Sequence, residues 1–168
     1  MNDVLEPEVM SPIPTTLPAF ITREQLAEVE ARMRAEAMKE DSGFMVGDAF
    51  PLTHTFADGL YIREIRVPAG NYVVTKLFKQ EHATFLMQGE CIILTETGRT
   101  HVSAPSSWIT PIGTKRLIYV VEDCVWTTIH SNSSNEKDID KLESLIIAEN
   151  YEELESLQKK EDLCIEAR

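Results

Sequence analysis

The sequence predicts a mainly β protein, an antiparallel barrel or double-sheet jelly roll with one helix before it and helices after it. Three observations carry that expectation. Between Leu60 and His130 the chain falls into short runs rich in β-branched and aromatic residues, each closed by turn residues. Before and after that stretch, apolar residues recur at helical spacing. The 168 residues are enough for one such domain plus flanking segments, and 43% hydrophobic with 26% charged residues is an ordinary globular balance.

Residues 1–21 hold Pro7, Pro12, Pro14 and Pro18 with no periodic pattern. Proline fixes φ and removes a donor, so this segment reads as an extended arm. Its apolar residues (Val4, Leu5, Val9, Met10, Ile13, Leu17, Phe20 and Ile21) suit contact with a partner or with the chain's own barrel. Thr22-Arg23-Glu24-Gln25 fits a capping box, opening an amphipathic helix over 22–40 with Leu26, Val29, Met33 and Ala37 on one stripe. Gly43 and Gly47 are the expected stops. The barrel is expected over 44–130, with strands at 60–67, 71–78, 84–88, 90–95, 99–102, 108–110, 116–121 and 125–130. Pro68-Ala69-Gly70, Gln88-Gly89, Thr97-Gly98, Ala104-Pro105 and Glu122-Asp123 supply the turns between them. Residues 131–168 form an acidic tail: a polar linker, a helix capped by Asp138 with Ile139, Leu142, Leu145 and Ile146 on one side, and a second helix over 151–160.

Charge and composition then exclude several functions. The net charge of -12 argues against a nucleic-acid partner, because a phosphate backbone wants a basic face. No apolar run approaches the ~20 residues that span a bilayer. The N-terminus shows neither a basic n-region nor an apolar h-region, so a cytoplasmic protein is expected. Cys91, Cys124 and Cys164 form no C-x-x-C pair and no even framework; reduced thiols without structural zinc follow. There is no Walker A loop, no G-x-G-x-x-G and no H-E-x-x-H. No cofactor is expected.

The stretch from Pro68 to Arg116 carries a more specific frame. It reads Gly70-NYVVT-Lys76-Leu77-Phe78-KQE-His82-ATFLMQ-Gly89, followed by Pro111-Ile112-Gly113-Thr114-Lys115-Arg116. The glycines, the proline and the spacings resemble the two motifs of the cupin superfamily, the RmlC-like jelly rolls. The run from Glu122 to His130 is similar to the end of small cupin-like proteins encoded by bacteriophages. The resemblance covers about 50–130 and implies a single double-stranded β-helix barrel. It also implies a host-cytoplasm or virion location if the chain is phage-encoded.

In metal-dependent members of that superfamily, two histidines, a glutamate and a last histidine hold a divalent ion. Carried over position by position, those places hold Lys76, Phe78, His82 and Arg116. An ammonium and a guanidinium only donate and repel a cation, so no metal is expected there. Strand alternation sends Lys76 and Phe78 to one face. If that face lines the barrel, Lys76, His82 and Arg116 surround a small anionic ligand, with carboxylate, phosphate and sulfate all eligible. The competing reading has Lys76 snorkelling, Arg116 paired with Glu64 or Glu90, and Phe78 plugging the barrel. A dispersed His54, His82 and His130 metal trio has no spacing signature.

Two functions follow. The favoured one is a non-catalytic binding or assembly protein, homo-oligomeric or joined to a neighbouring structural protein through the arm. The alternative is a metal-independent enzyme similar to the cupin-related sugar-nucleotide epimerases, with His82 as base, Lys76 or Arg116 as phosphate anchor, and Glu81, Glu90 or Tyr72 in support.

Overall fold

The computed structural model describes residues 16–39 and 50–166, with side chains as far as 159. Helix α1 spans Arg23–Ala37 and opens on the predicted capping box. Thr22 Oγ1 accepts from the Gln25 amide at 3.3 Å, and Gln25 Oε1 accepts from the Thr22 amide at 3.0 Å. The helix closes at Met38; Gly43 and Gly47 lie outside the described residues. Leu26, Val29 and Met33 are buried against Leu94 and Leu117 of the barrel.

The described end of the arm also lies on the barrel. The Ile21 amide donates to Thr95 O at 3.0 Å, Arg99 Nη1 donates to Leu17 O at 3.1 Å, and Ile21 joins the same apolar cluster. The rest of the expected arm, with Pro7, Pro12 and Pro14, lies outside the described residues.

Among the described residues, nine strands and two more helices follow: β1 (Leu52–Ala57), β2 (Leu60–Val67), β3 (Tyr72–Val74), β4 (Leu77–Phe78), β5 (His82–Thr95), β6 (Gly98–Ser103), β7 (Ser106–Thr110), β8 (Leu117–Ser131), α2 (Ile139–Ile146), β9 (Ile147–Ala148) and α3 (Tyr151–Glu166). All pairings are antiparallel. The long strands β5 and β8 pair with each other throughout and belong to two layers. Their halves at 82–88 and 124–131 lie with β1, β2 and β7; their halves at 90–95 and 117–122 lie with β3 and β6. This is the expected mainly β, jelly-roll type of barrel, closed by helices.

The step from one layer to the other corrects the expected strand breaks. Gln88-Gly89 and Glu122-Asp123 are bulges inside continuous strands, marked by shifts in register between Leu86 and Cys91. Gly89 makes the bulge possible. Its φ is +86°, and a Cβ there would sit 2.3 Å from the Asp123 carbonyl oxygen, so no larger residue fits. Residues 71–78 divide instead of forming one strand: Tyr72–Val74 pairs with β8, and Leu77–Phe78 pairs with β9. Strand β1, with alternately half-buried residues, and strand β9 lie outside the strands that the sequence predicts.

The tail helices cover one end of the barrel. Asp138 caps α2, accepting from the Lys141 amide at 3.2 Å. Leu142 and Ile146 pack on Tyr61 and Phe78, while Leu154 of α3 packs on Leu77 and Ala148. Lys79 ties the same end down through an ion pair with Glu153 at 2.6 Å. Among the described residues, no helix is long and apolar enough to cross a membrane.

Candidate functional site in the barrel interior

The inner face of β2 reads Tyr61, Arg63, Ile65 and Val67 at period two, and their partners on β8 are His130, Thr128, Trp126 and Cys124. The interior is therefore graded. One end is polar and aromatic, the other apolar. Between them lies a cavity of about 90 Å³ lined by Arg63, Thr75, Lys76, Phe78 and Thr128 on its polar side, and by aliphatic residues and Trp126 elsewhere.

Arg63 is mostly buried. Its Nη2 stands 3.7 Å from Glu143 Oε1, a loose ion pair, and its Nε is buried without a hydrogen-bond partner. Arg116 is a second, partly buried cation, outside the lining of that cavity. Its Nη1 donates to Thr110 Oγ1 at 3.1 Å, and that hydroxyl is paired with Thr84 Oγ1 at 2.7 Å. Glu64 is bound to Arg66 and Glu90 to His101, so neither expected partner takes Arg116. Among the described residues, Arg116 makes no ion pair. Burial holds its pKa below the ordinary arginine value, because the charged form loses water.

Two histidines complete the polar end. His82 and His130 have ring centroids 4.5 Å apart, and Phe78 lies 4.6 Å from each. His82 Nδ1 is 3.2 Å from the Gln80 carbonyl, the geometry of an N–H donating to it. His130 Nε2 meets Thr128 Oγ1 at 2.9 Å, while its Nδ1 is buried without a partner. Burial lowers the pKa of both rings. Arg116 depresses His82 further; His82 and Arg63 press on His130, which falls to about 3. Both imidazoles are neutral near pH 7, in a positive field.

The sequence-predicted residues are thus divided. Lys76 and Phe78 line the cavity; His82 sits behind Phe78 with 5% of its surface exposed; Arg116 is anchored at Thr110. The superfamily's metal does not fit these positions. Phe78 offers no ligand atom, Lys76 and Arg116 offer cations, and a guanidinium close enough to depress a histidine also repels a divalent ion. The His54, His82, His130 trio is interrupted by Tyr61, whose hydroxyl takes His54 Nδ1 at 2.7 Å and whose ring lies 5.9 Å from His130. Among the described residues, no group of three or more His, Cys, Asp or Glu could hold a metal. For the epimerase reading, Tyr72 packs on Tyr119, Glu90 pairs with His101 and Glu81 is exposed. None of the three hydrogen-bonds His82.

Arg63 and Thr128 are the residues that sequence reasoning missed. A signal for Arg63 existed: in the predicted strand 60–67 it shares a parity with Tyr61, Ile65 and Val67, a lone cation on an apolar stripe.

No protein-family model and no curated protein sequence matches the chain. Solved structures do resemble it. A cupin-2 domain containing protein from Shewanella frigidimarina is 13% identical, covering 60% of this chain and 99% of its own, with a TM-score of 0.42. A cupin domain from Bordetella pertussis is 17% identical over 49% and 93% of the two chains, at 0.40. An RmlC-like cupin family protein with a double-stranded β-helix fold from Methanocaldococcus jannaschii is 14% identical over 52% and 85%, at 0.41. At such identities and scores, none of their chemistry transfers to this chain.

Proposed function

We propose that this protein is a non-catalytic binding protein whose barrel holds a small carboxylate with a short apolar body. One observation carries the reading: in a chain of net charge -12, the cavity and its surroundings hold two arginines, one with an orphaned buried N–H and the other with no ion pair among the described residues. A desolvated cation without a counter-charge is unfavourable by several kcal/mol, and an entering anion relieves that cost. The aliphatic wall favours a carboxylate with a hydrocarbon body over a bare phosphate. The cavity of about 90 Å³ limits the ligand to a short acid of a few carbons. Among the described residues, no acid or tyrosine hydrogen-bonds His82, which supports binding over catalysis.

Thermal unfolding with butyrate, butyramide and phosphate tests this. A ligand at a hundredfold excess over its dissociation constant stabilises by ~2.7 kcal/mol. Butyrate should raise the Tm, phosphate less, and butyramide not at all. Equal shifts with butyrate and butyramide, or none with any anion, would remove the reading.

A second reading, self-assembly, is favoured by the outer face of the sheet. Ile62, Ile129, Ala83 and Ile109 stand in one row across β2, β8, β5 and β7, with Ile109 57% and nearby Met87 59% exposed. A second copy of this chain is the proposed occupant, with residues 1–21 as an additional arm, and a particle-associated role of a phage-encoded protein would use the same face. Light scattering decides it: a dimer or larger species that Ile109→Lys dissociates supports assembly, and a monomer at all concentrations removes it.

A further inference from the structure

The bulge that joins the two layers also brings two thiols together. Cys91 on β5 is fully buried and Cys124 on β8 is 2% exposed; both are free and share one core cluster. Cys124 lies beside the bulge at Gly89, and its Sγ is 3.5 Å from the carbonyl oxygen of Glu90, the residue just before Cys91. The interaction of the two neighbouring thiols raises the pKa of Cys91 and lowers that of Cys124.

Access differs as well. Cys124 lines the inner cavity and also an outer cleft of about 250 Å³ formed with Pro51, Arg66, Pro68, Gln88 and Asp123. Cys91 lines neither. Cys124 thus borders two spaces in the protein, and Cys91 is buried farther from both. An attacking thiol backed by a resolving thiol has this arrangement.

We propose that Cys124 and Cys91 form an oxidisable dithiol, with Cys124 attacking a small hydroperoxide and Cys91 closing an intramolecular disulfide. In the first step the Cys124 thiolate sulfur bonds to the nearer peroxide oxygen, the O–O bond breaks, and the departing hydroxide takes the proton that Cys124 released. With hydrogen peroxide this gives a sulfenic acid and water. In the second step the Cys91 sulfur bonds to Cys124 sulfur, the S–O bond breaks, and hydroxide leaves with the Cys91 proton as a second water. Two thiols are oxidised and one peroxide is reduced. The disulfide would lie in the cavity wall, at the apolar end opposite Arg63.

The test uses the full chain with Cys164→Ser, so that the pair holds the remaining thiols. Hydrogen peroxide applied to the native protein should consume both thiols without intermolecular linkage. Peptide mapping should find Cys91 joined to Cys124, and dithiothreitol should restore both. In the same background Cys91→Ser should stop at a Cys124 sulfenic acid trapped by dimedone, and Cys124→Ser should leave Cys91 unmodified at that dose. Thiols that react only after denaturation, or link only between chains, would overturn the proposal. The thiol count and peptide map need no change in the core, so they decide it even where a serine variant fails to fold.

Discussion

The region beneath α1 and the region between β2 and β8 bury side chains for different ends. Under α1, Ile21, Leu26, Val29, Met33, Leu94 and Leu117 make a uniformly apolar cluster. Its polar contacts are confined to the rim, where Arg23 pairs with half-exposed Glu96 and lies 4.3 Å above the Tyr151 ring, and Lys115 pairs with Glu30. Between β2 and β8 the chain instead buries arginines, histidines and threonines, and leaves the Arg63 and His130 donors or acceptors without partners. The first region is consistent at every level. The second keeps groups that a purely structural core would replace with leucine. Such local inconsistency is what a binding site looks like in a stable barrel.

Substitutions can break that contrast. The largest effect is expected from Leu94→Ala, which opens a cavity in a fully buried site and should cost ~2–5 kcal/mol in chemical denaturation. Its response to butyrate, read below its lowered Tm, should match the parent. Arg116→Leu should do the opposite. Replacing a partly buried, poorly paired charge with an apolar residue is neutral or stabilising, by up to ~1–4 kcal/mol, while the butyrate shift shrinks as a nearby positive charge is lost. A large destabilisation by Arg116→Leu would mean that its bond to Thr110 serves the fold.

The histidines sharpen the contrast further through pH. His130 falls from 6.5 in an unfolded chain to about 3 in the fold, so between those values the unfolded state binds the extra proton. The stability tied to the neutral ring is complete above pH 6.5 and is lost as pH falls toward 3, at up to ~1.4 kcal/mol per pH unit. His82 is shifted in the same direction and adds to the loss at the upper end of that window. Stability against pH should be visibly flatter over that range in His130→Gln; an unchanged slope would place the acid sensitivity elsewhere. The smallest effect is at the rim of the apolar region, where Thr22→Ala removes one side of the capping box and should cost about 1 kcal/mol with no effect on butyrate.

The apolar region was largely legible in the sequence. Thr22, Gln25 and the stripe of Leu26, Val29 and Met33 are local signals, and local signals set helix ends and faces. The interior was legible only where one strand declared a parity. Lys76 and Phe78 could be placed on a shared face, but the split of 71–78 between two sheets depends on pairing with β8 and on β9, which is distant in sequence. The breaks read at Gln88-Gly89 and Glu122-Asp123 show the same limit. Turn-forming residues also serve bulges, and only the partner strand decides which. Arg63 could have been found by counting parity from Tyr61, whereas the meeting of His82 with His130 is a property of β5 lying beside β8.

Calorimetric titration of butyrate into the full chain and into Arg63→Met at low ionic strength tests the central claim most directly. The parent should bind at one equivalent per chain, and Arg63→Met should lose that heat while keeping its melting temperature or gaining a few degrees. Undiminished binding in Arg63→Met, or no binding in the parent at millimolar butyrate, would contradict an anion site in the barrel.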